Sequence, residues 1–221
     1  MKDLLSQPKQ TFLNLAEEKR AMIEAALVEE FATKGYRKAS LNVVAKELNI
    51  AKGSLYQYFD NKESIFLYVF DQFTRLIKKS VGKPEEQAAG HLDFWQAVRS
   101  VIYAGIGFIQ RYPSYFQLYL QVLHEEDIPQ REELITRVRL FSEEYFGPMV
   151  EACQRRGVFV QTPVSTIIFI LDAVMDRFFQ ACAKQYIDSG YDMNQINRFE
   201  IELEIEHIIE TLEFGIANRR C

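Results

Sequence analysis

"LNVVAKELNIAKGSLYQYFDNKESIF", Leu41 to Phe66, holds two short stretches of helical period either side of a brief interruption. In the first, Leu41, Val44, Ala45 and Leu48 recur at i, i+3, i+4 and i+7, one stripe of an amphipathic helix. Ser40 stands ahead of them where an N-cap is wanted. Asn49 follows, one of the few residues besides glycine that tolerate a left-handed turn. The second stretch covers roughly 52–58, with Leu55 and Phe59 at i, i+4 facing inward. "DNKE", Asp60 to Glu63, reads as a capping box that opens a further helix with Phe66, Phe70, Phe73 and Ile77 on its apolar face.

Two helices joined by a three-residue turn describe a helix-turn-helix, the shape whose second helix enters the major groove of double-stranded DNA. At 100° per residue, with Leu55 and Phe59 inside, Gly53 and Gln57 point furthest outward, flanked by Ser54 and Tyr56. Gly53 lets the backbone approach base edges, and Gln57 carries the donor and acceptor used to read adenine. Lys52, in the first turn, suits phosphate or guanine, and the phenols of Tyr56 and Tyr58 suit phosphate. Arg37, Lys38 and Lys62 stand at the edges. Residues 33–62 carry six basic side chains against two acidic ones, in a chain of net charge −5. Such a patch calls for a polyanionic partner touching it alone. The shape by itself also occurs in helical proteins that bind a protein partner and no DNA. The conjunction of turn, basic patch and polar outward face favours DNA.

Working outward, nearly every periodic segment is helical. Upstream, Ile23, Ala26, Leu27 and Phe31 form a stripe that Gly35 ends as a C′ glycine should. Downstream, helical patterns cover about 92–110, 114–123, 130–156, 164–187 and 193–217, and Gly147-Pro148 is expected to kink or split the third of these. The expected fold is all-α with about nine helices. "GKPEEQAAG", Gly82 to Gly90, is the clearest shift in composition, which places a domain change near residue 80. The domains expected are 1–80, carrying +3, and 81–221, carrying −8.

Cys153, Cys182 and Cys221 show neither zinc spacing nor a disulfide pattern, so reduced thiols are expected. The amino-terminal stretch lacks the apolar run of a signal peptide, and the most apolar segment, from Val164, is interrupted by Asp172 and is too short to span a bilayer. A cytoplasmic protein with no membrane partner is expected. No Gly-rich phosphate loop, nucleophile–His pair or metal spacing is present, which argues against an enzyme, a metal and a cofactor. His124, Glu125, Glu126 and Asp127 read as a helix end and solvated turn. Asp172 and Asp176, at i, i+4, fit either a cationic ligand or an ion pair at an interface.

The longer stretch "GYRKASLNVVAKELNIAKGSLYQYFDNKESIF" resembles the DNA-binding domain of TetR/AcrR-type transcriptional regulators. The family's Gly-aromatic pair, Ser/Thr cap, second-helix alanine and Gly-x-Leu-Tyr-x-x-Phe match Gly35-Tyr36, Ser40, Ala45 and Gly53 to Phe59, with Lys62 close behind. Asn49 replaces the common turn glycine. Ala51 stands where the family often has a capping Ser or Thr that touches phosphate, so that role is not carried over. The resemblance implies a ligand-responsive regulator, by family habit a repressor, binding a near-palindromic operator as a homodimer.

The resemblance also implies a ligand-sensing and dimerisation domain after residue 80. Aromatic side chains suited to lining a pocket for a small apolar or aromatic effector are Trp95, Tyr103, Phe108, Tyr115, Phe116 and Tyr119, joined by Phe141, Tyr145 and Met149. The same spacing also fits a plain core. Gly105 and Gly107 leave room either for a ligand or for close helix packing. Ile201, Ile205, Ile208 and Leu212, at i, i+4, i+7 and i+11, form a seam for a partner helix or for the protomer's own core.

Overall fold

The computed structural model describes residues 6–82, 93–183 and 198–216. Ten helices and no strand occur among the described residues: α1 Gln10–Leu13, α2 Glu17–Lys38, α3 Leu41–Glu47, α4 Lys52–Tyr58, α5 Lys62–Val81, α6 Phe94–Arg111, α7 Pro113–His124, α8 Arg131–Arg155, α9 Val164–Ala183 and α10 Arg198–Ile216. The fold is all-α, as expected. The ends expected for α9 at 187 and α10 at 193 lie outside the described residues, as does Cys221. No described helix is long and apolar enough to cross a membrane.

Local chemistry explains several boundaries. Gly35 leaves the helical region with φ 72° and ψ 164°, so α2 is two helical pieces meeting there rather than one that stops. Ser40 is the N-cap residue of α3, but its hydroxyl makes no cap bond. Its backbone N–H donates instead to Glu30 Oε1 at 2.7 Å. The capping box of α5 is formed one residue later than Asp60 and Glu63 would place it. Ser64 N donates to Asn61 Oδ1 at 2.8 Å and Asn61 N donates to Ser64 Oγ at 3.1 Å. Asp60 is occupied elsewhere, in an ion pair with Lys9 at 2.8 Å. Helix α8 runs unsplit through Gly147 and Pro148. A residue before proline avoids the helical region because its Cβ meets the ring, and glycine has no Cβ.

The chain forms two compact units, one comprising the chain through Ile77 with Tyr112–Thr136, the other Lys78–Arg111 with the chain from Arg137 onward. In the first, α7 packs along α2. Gln121 Nε2 donates to the Ala32 carbonyl at 2.7 Å, and Tyr119 stacks on Phe73 with centroids 5.3 Å apart. Phe31, Phe66, Phe70 and Phe73 are fully buried there.

In the second unit, α6 is flanked by α9 and α10. A Cβ built on Gly105 would lie 2.3 Å from Phe179 Cζ, so this glycine serves close packing of α6 on α9. Arg99 Nε and Nη2 hold Glu206 of α10 at 2.7 and 2.6 Å. This two-pronged pairing keeps the Glu206 carboxyl below its ordinary range, and the carboxylate raises the guanidinium in turn. Phe94, Trp95, Phe146 and Phe159 pack as an aromatic cluster, with Phe94 and Phe159 centroids 4.8 Å apart.

Candidate nucleic-acid interface

The turn between α3 and α4 is closed by backbone bonds alone. Asn49, at φ 51°, takes the left-handed position after the helix end. Asn49 N donates to the Lys46 carbonyl at 3.1 Å and Ile50 N to the Ala45 carbonyl at 2.9 Å. These are the 5→2 and 6→1 bonds of a Schellman motif, which stop α3 and set the direction of the chain into α4. Ala51 is the N-cap residue of α4 and offers no side-chain bond. Its carbonyl accepts from Ser54 N at 2.8 Å.

Helix α4 then sorts its side chains by face. Leu55 and Phe59 are buried, while Gly53, Tyr56 and Gln57 are exposed and Ser54 is half-buried. Tyr56 is 41% exposed. A Cβ on Gly53 would meet nothing within 4 Å, so no internal packing demands a glycine at this position. Lys52 is the first residue of the helix, and the role expected of its side chain lies outside the described side chains. Tyr58 is a correction to the outward reading. It is buried, its ring 5.6 Å from that of Phe12, because α1 covers that side of α4.

The basic edge is already engaged within the protein. Lys62 Nζ donates to the Arg37 carbonyl at 3.2 Å and lies 5.1 Å from the centroid of the Tyr36 ring. Burial lowers its pKa, with nearby Glu30 opposing. Lys62 therefore closes the end of α2. Arg37 pairs with Asp127 at 3.2 Å with both side chains well exposed, and a pair so hydrated contributes little and exchanges readily. Lys38 is exposed beside it, and Ser40 is half-buried.

The residues expected to line a ligand pocket fall in both units. Tyr115, Phe116 and Tyr119 belong to the first, where Phe116 and Tyr119 are core, their rings 5.9 Å apart. Burial, with Glu24 adding, raises the Tyr115 phenol far above its usual range. In the second unit Trp95 and Tyr145 join the aromatic cluster, Phe108 is buried, and Tyr103 is exposed. Phe141 packs 6.0 Å from Tyr145 and carries Lys78 above its ring, and Met149 is half-buried. The seam expected for a partner helix is also redistributed. Ile205 and Leu212 are buried in the protomer, where α10 packs on α6, and Ile201 and Ile208 are half-buried. The apolar side chains that α10 leaves exposed are Phe199, Leu203 and Phe214.

Sequence reading missed α1 altogether. Four residues carry too little periodicity to register as a helix, and Phe12 alone marked an apolar anchor.

A buried inner face, a Schellman turn and an outward short helix of small and polar residues define a helix-turn-helix. Residues 23–69 match the family model described as bacterial regulatory proteins, tetR family. The solved structure of a TetR family transcriptional regulator from Chloroflexus aurantiacus J-10-fl superposes with TM-score 0.73 at 27% identity, covering 97% of this chain and 100% of that one. The protein named "Probable acrEF/envCD operon repressor" from Escherichia coli K12 is 24% identical over 191 residues, 84% of each chain. The HTH-type transcriptional regulator YhgD of Bacillus subtilis is 31% identical over 107 residues. That match spans 48% of this chain and about half (52%) of YhgD. Residues 23–69 are thus a tetR-family regulatory domain, and the chain as a whole resembles TetR-type helix-turn-helix transcriptional regulators.

Proposed function

We propose that this protein is a repressor that binds a near-palindromic DNA operator as a homodimer and is released or modulated by a small apolar or aromatic effector. The outward face of α4 carries the reading. A glycine with open space above it, between polar neighbours and on a helix whose other face is fully buried, suits close approach to base edges. Residues 1–80 supply the DNA contacts: Gly53, Ser54, Tyr56 and Gln57 on the groove side, Lys52 at the helix start, and Arg37, Lys38 and Ser40 toward phosphate.

A homodimer is supported by the apolar surface left on α9 and α10. Phe169 is 70% exposed, Phe199 72% and Phe214 61%, with Ile170 and Leu203 also exposed. Several large apolar side chains left exposed on two helices suit an interface, and a second copy would bury them. Two α4 helices in one assembly then read two half-sites together. The effector site is assigned to the second unit, where Trp95, Tyr103, Phe108, Phe141, Tyr145 and Met149 are the candidates; Tyr115, Phe116 and Tyr119, also expected to line it, fall in the first unit. An effector acts by binding one conformation better than the other, and the shift is bounded by that difference in affinity. Intracellular placement follows from the DNA partner.

Fluorescence anisotropy with labelled duplex from immediately upstream of the protein's own gene, across a salt series, tests the reading. Saturable, salt-sensitive binding that weakens in Tyr56→Ala is expected. Failure of wild type to bind that duplex and every fragment of a genomic selection would overturn it.

A further inference from the structure

The C-terminal end of α4 is finished by residues 46 to 50 positions upstream. The last carbonyls of an α-helix have no partner within the helix and must find one elsewhere. In α4 only the Leu55 carbonyl is served locally, accepting from Phe59 N at 2.9 Å. The Tyr56 carbonyl accepts from Lys9 Nζ at 3.0 Å, the Gln57 carbonyl from Thr11 Oγ1 at 2.5 Å, and the Tyr58 carbonyl from Lys9 N at 2.8 Å. Beyond the helix, the Phe59 carbonyl accepts from Lys9 Nζ at 3.3 Å. Phe12 anchors the segment, fully buried with its ring 5.0 Å from Phe59 and 5.6 Å from both Tyr58 and Tyr68.

Three physical facts make this arrangement consequential. Helix α4 has seven residues, and a helix that short holds its form through tertiary contacts and capping rather than propensity. Its start has no side-chain cap, so the end bears more of the ordering. A lysine ammonium at a helix C-terminus is favoured by the helix dipole.

Lys9 is also fully committed. An ammonium has three donor hydrogens, and here the Tyr56 carbonyl, the Phe59 carbonyl and Asp60 Oδ1 at 2.8 Å are its three acceptors. That saturation distinguishes Lys9 from a lysine held free for phosphate.

We propose that residues 9–12 are a positioning clamp for the recognition helix, with Lys9 its principal positioning residue. The DNA consequence rests on the reading of α4 given above; the ordering of α4 does not. Loss of the clamp frays the last turn, which carries Gln57 and Tyr56, and weakens binding without removing a phosphate contact.

Two readouts on full-length Lys9→Ala, Lys9→Arg and wild type test this. Without DNA, amide hydrogen exchange at residues 55–59 is expected to quicken about threefold to tenfold in Lys9→Ala, with α2 unchanged and Lys9→Arg near wild type. With DNA, operator affinity is expected to fall at least about threefold in Lys9→Ala at an unchanged slope of log K against log salt. Unchanged exchange at 55–59 would overturn the clamp whatever the protein binds. A slope shallower by about 0.9 would overturn it differently, by making Lys9 a phosphate ligand.

Discussion

Replacing Gly53 by alanine should separate folding from DNA binding, because the two respond in opposite directions. In the protein alone the new methyl enters open space, since nothing lies within 4 Å of its position. A helical Gly→Ala change in a permissive site stabilises by about 0.4–1 kcal/mol, chiefly by restricting the unfolded chain. At the second residue of an uncapped helix the lower part of that range applies. A gain of about 0.5 kcal/mol corresponds to a melting temperature roughly 1–2 °C higher for a chain of this size. Against DNA the same methyl stands where the backbone is proposed to approach base edges. Forcing a methyl into a closely packed contact costs about 1–3 kcal/mol, and 1.4 kcal/mol is about tenfold in affinity. Calorimetry on the free protein, with anisotropy on operator duplex at one fixed salt concentration, measures both. An unchanged or raised melting temperature with affinity reduced about tenfold or more is expected. Full affinity in Gly53→Ala would show that this surface does not face the groove. A clear loss of stability would show that the space above Gly53 is occupied.

Two further substitutions probe the second unit. Gly105→Ala drives a methyl into the Phe179 ring and should lower stability by about 1 kcal/mol net of the helix-propensity gain, yet become stabilising in a Phe179→Ala background; chemical denaturation of the four proteins reads the reversal of sign. Asp172 has its carboxyl pushed up to about 6, mainly by burial, with Asp176 adding and the Ser142 hydrogen bond and Arg139 opposing. A carboxyl whose folded pKa lies above its unfolded one binds more protons folded, so stability falls as pH rises from about 4 toward 6 and stays reduced above it. Asp172→Asn should remove that fall and raise stability at pH 7.5 by about 1 kcal/mol once solvent screening is allowed for, as pH-dependent melting would show.

Buried stripes were legible in the sequence because they repeat. The inward residues of α3 and α4, and the left-handed Asn49, follow from spacing and side-chain type alone. Positions decided by competition between neighbours were not. Ser40 stands at its cap position, yet its hydroxyl makes no cap bond and its backbone N–H donates to Glu30 on α2. The α5 capping box forms at Asn61 and Ser64 because α5 starts at Lys62, while Asp60 pairs with Lys9, which nothing near Asp60 in sequence announces. Tyr58 has the spacing of a flanking residue and is buried where α1 packs on α4, its ring against Phe12. Periodicity along the last helix also does not tell which stripe meets the protomer's own α6. Ile205 and Leu212 do so, and the larger Phe199 and Phe214 remain on the surface.

The packing of α7 along α2 bears on how such regulators can be recombined. A hybrid built by grafting a new sensor after residue 80 would carry α2 without the strand of chain that covers it. The Ala32 carbonyl would lose the Gln121 amide, and Phe73 would lose the Tyr119 ring. Gly35 would lose the Glu125 carboxylate, which lies 3.0 Å from where its Cβ would be. The portable cassette is therefore discontinuous: the first 77 residues together with 112–136, transplanted as a pair.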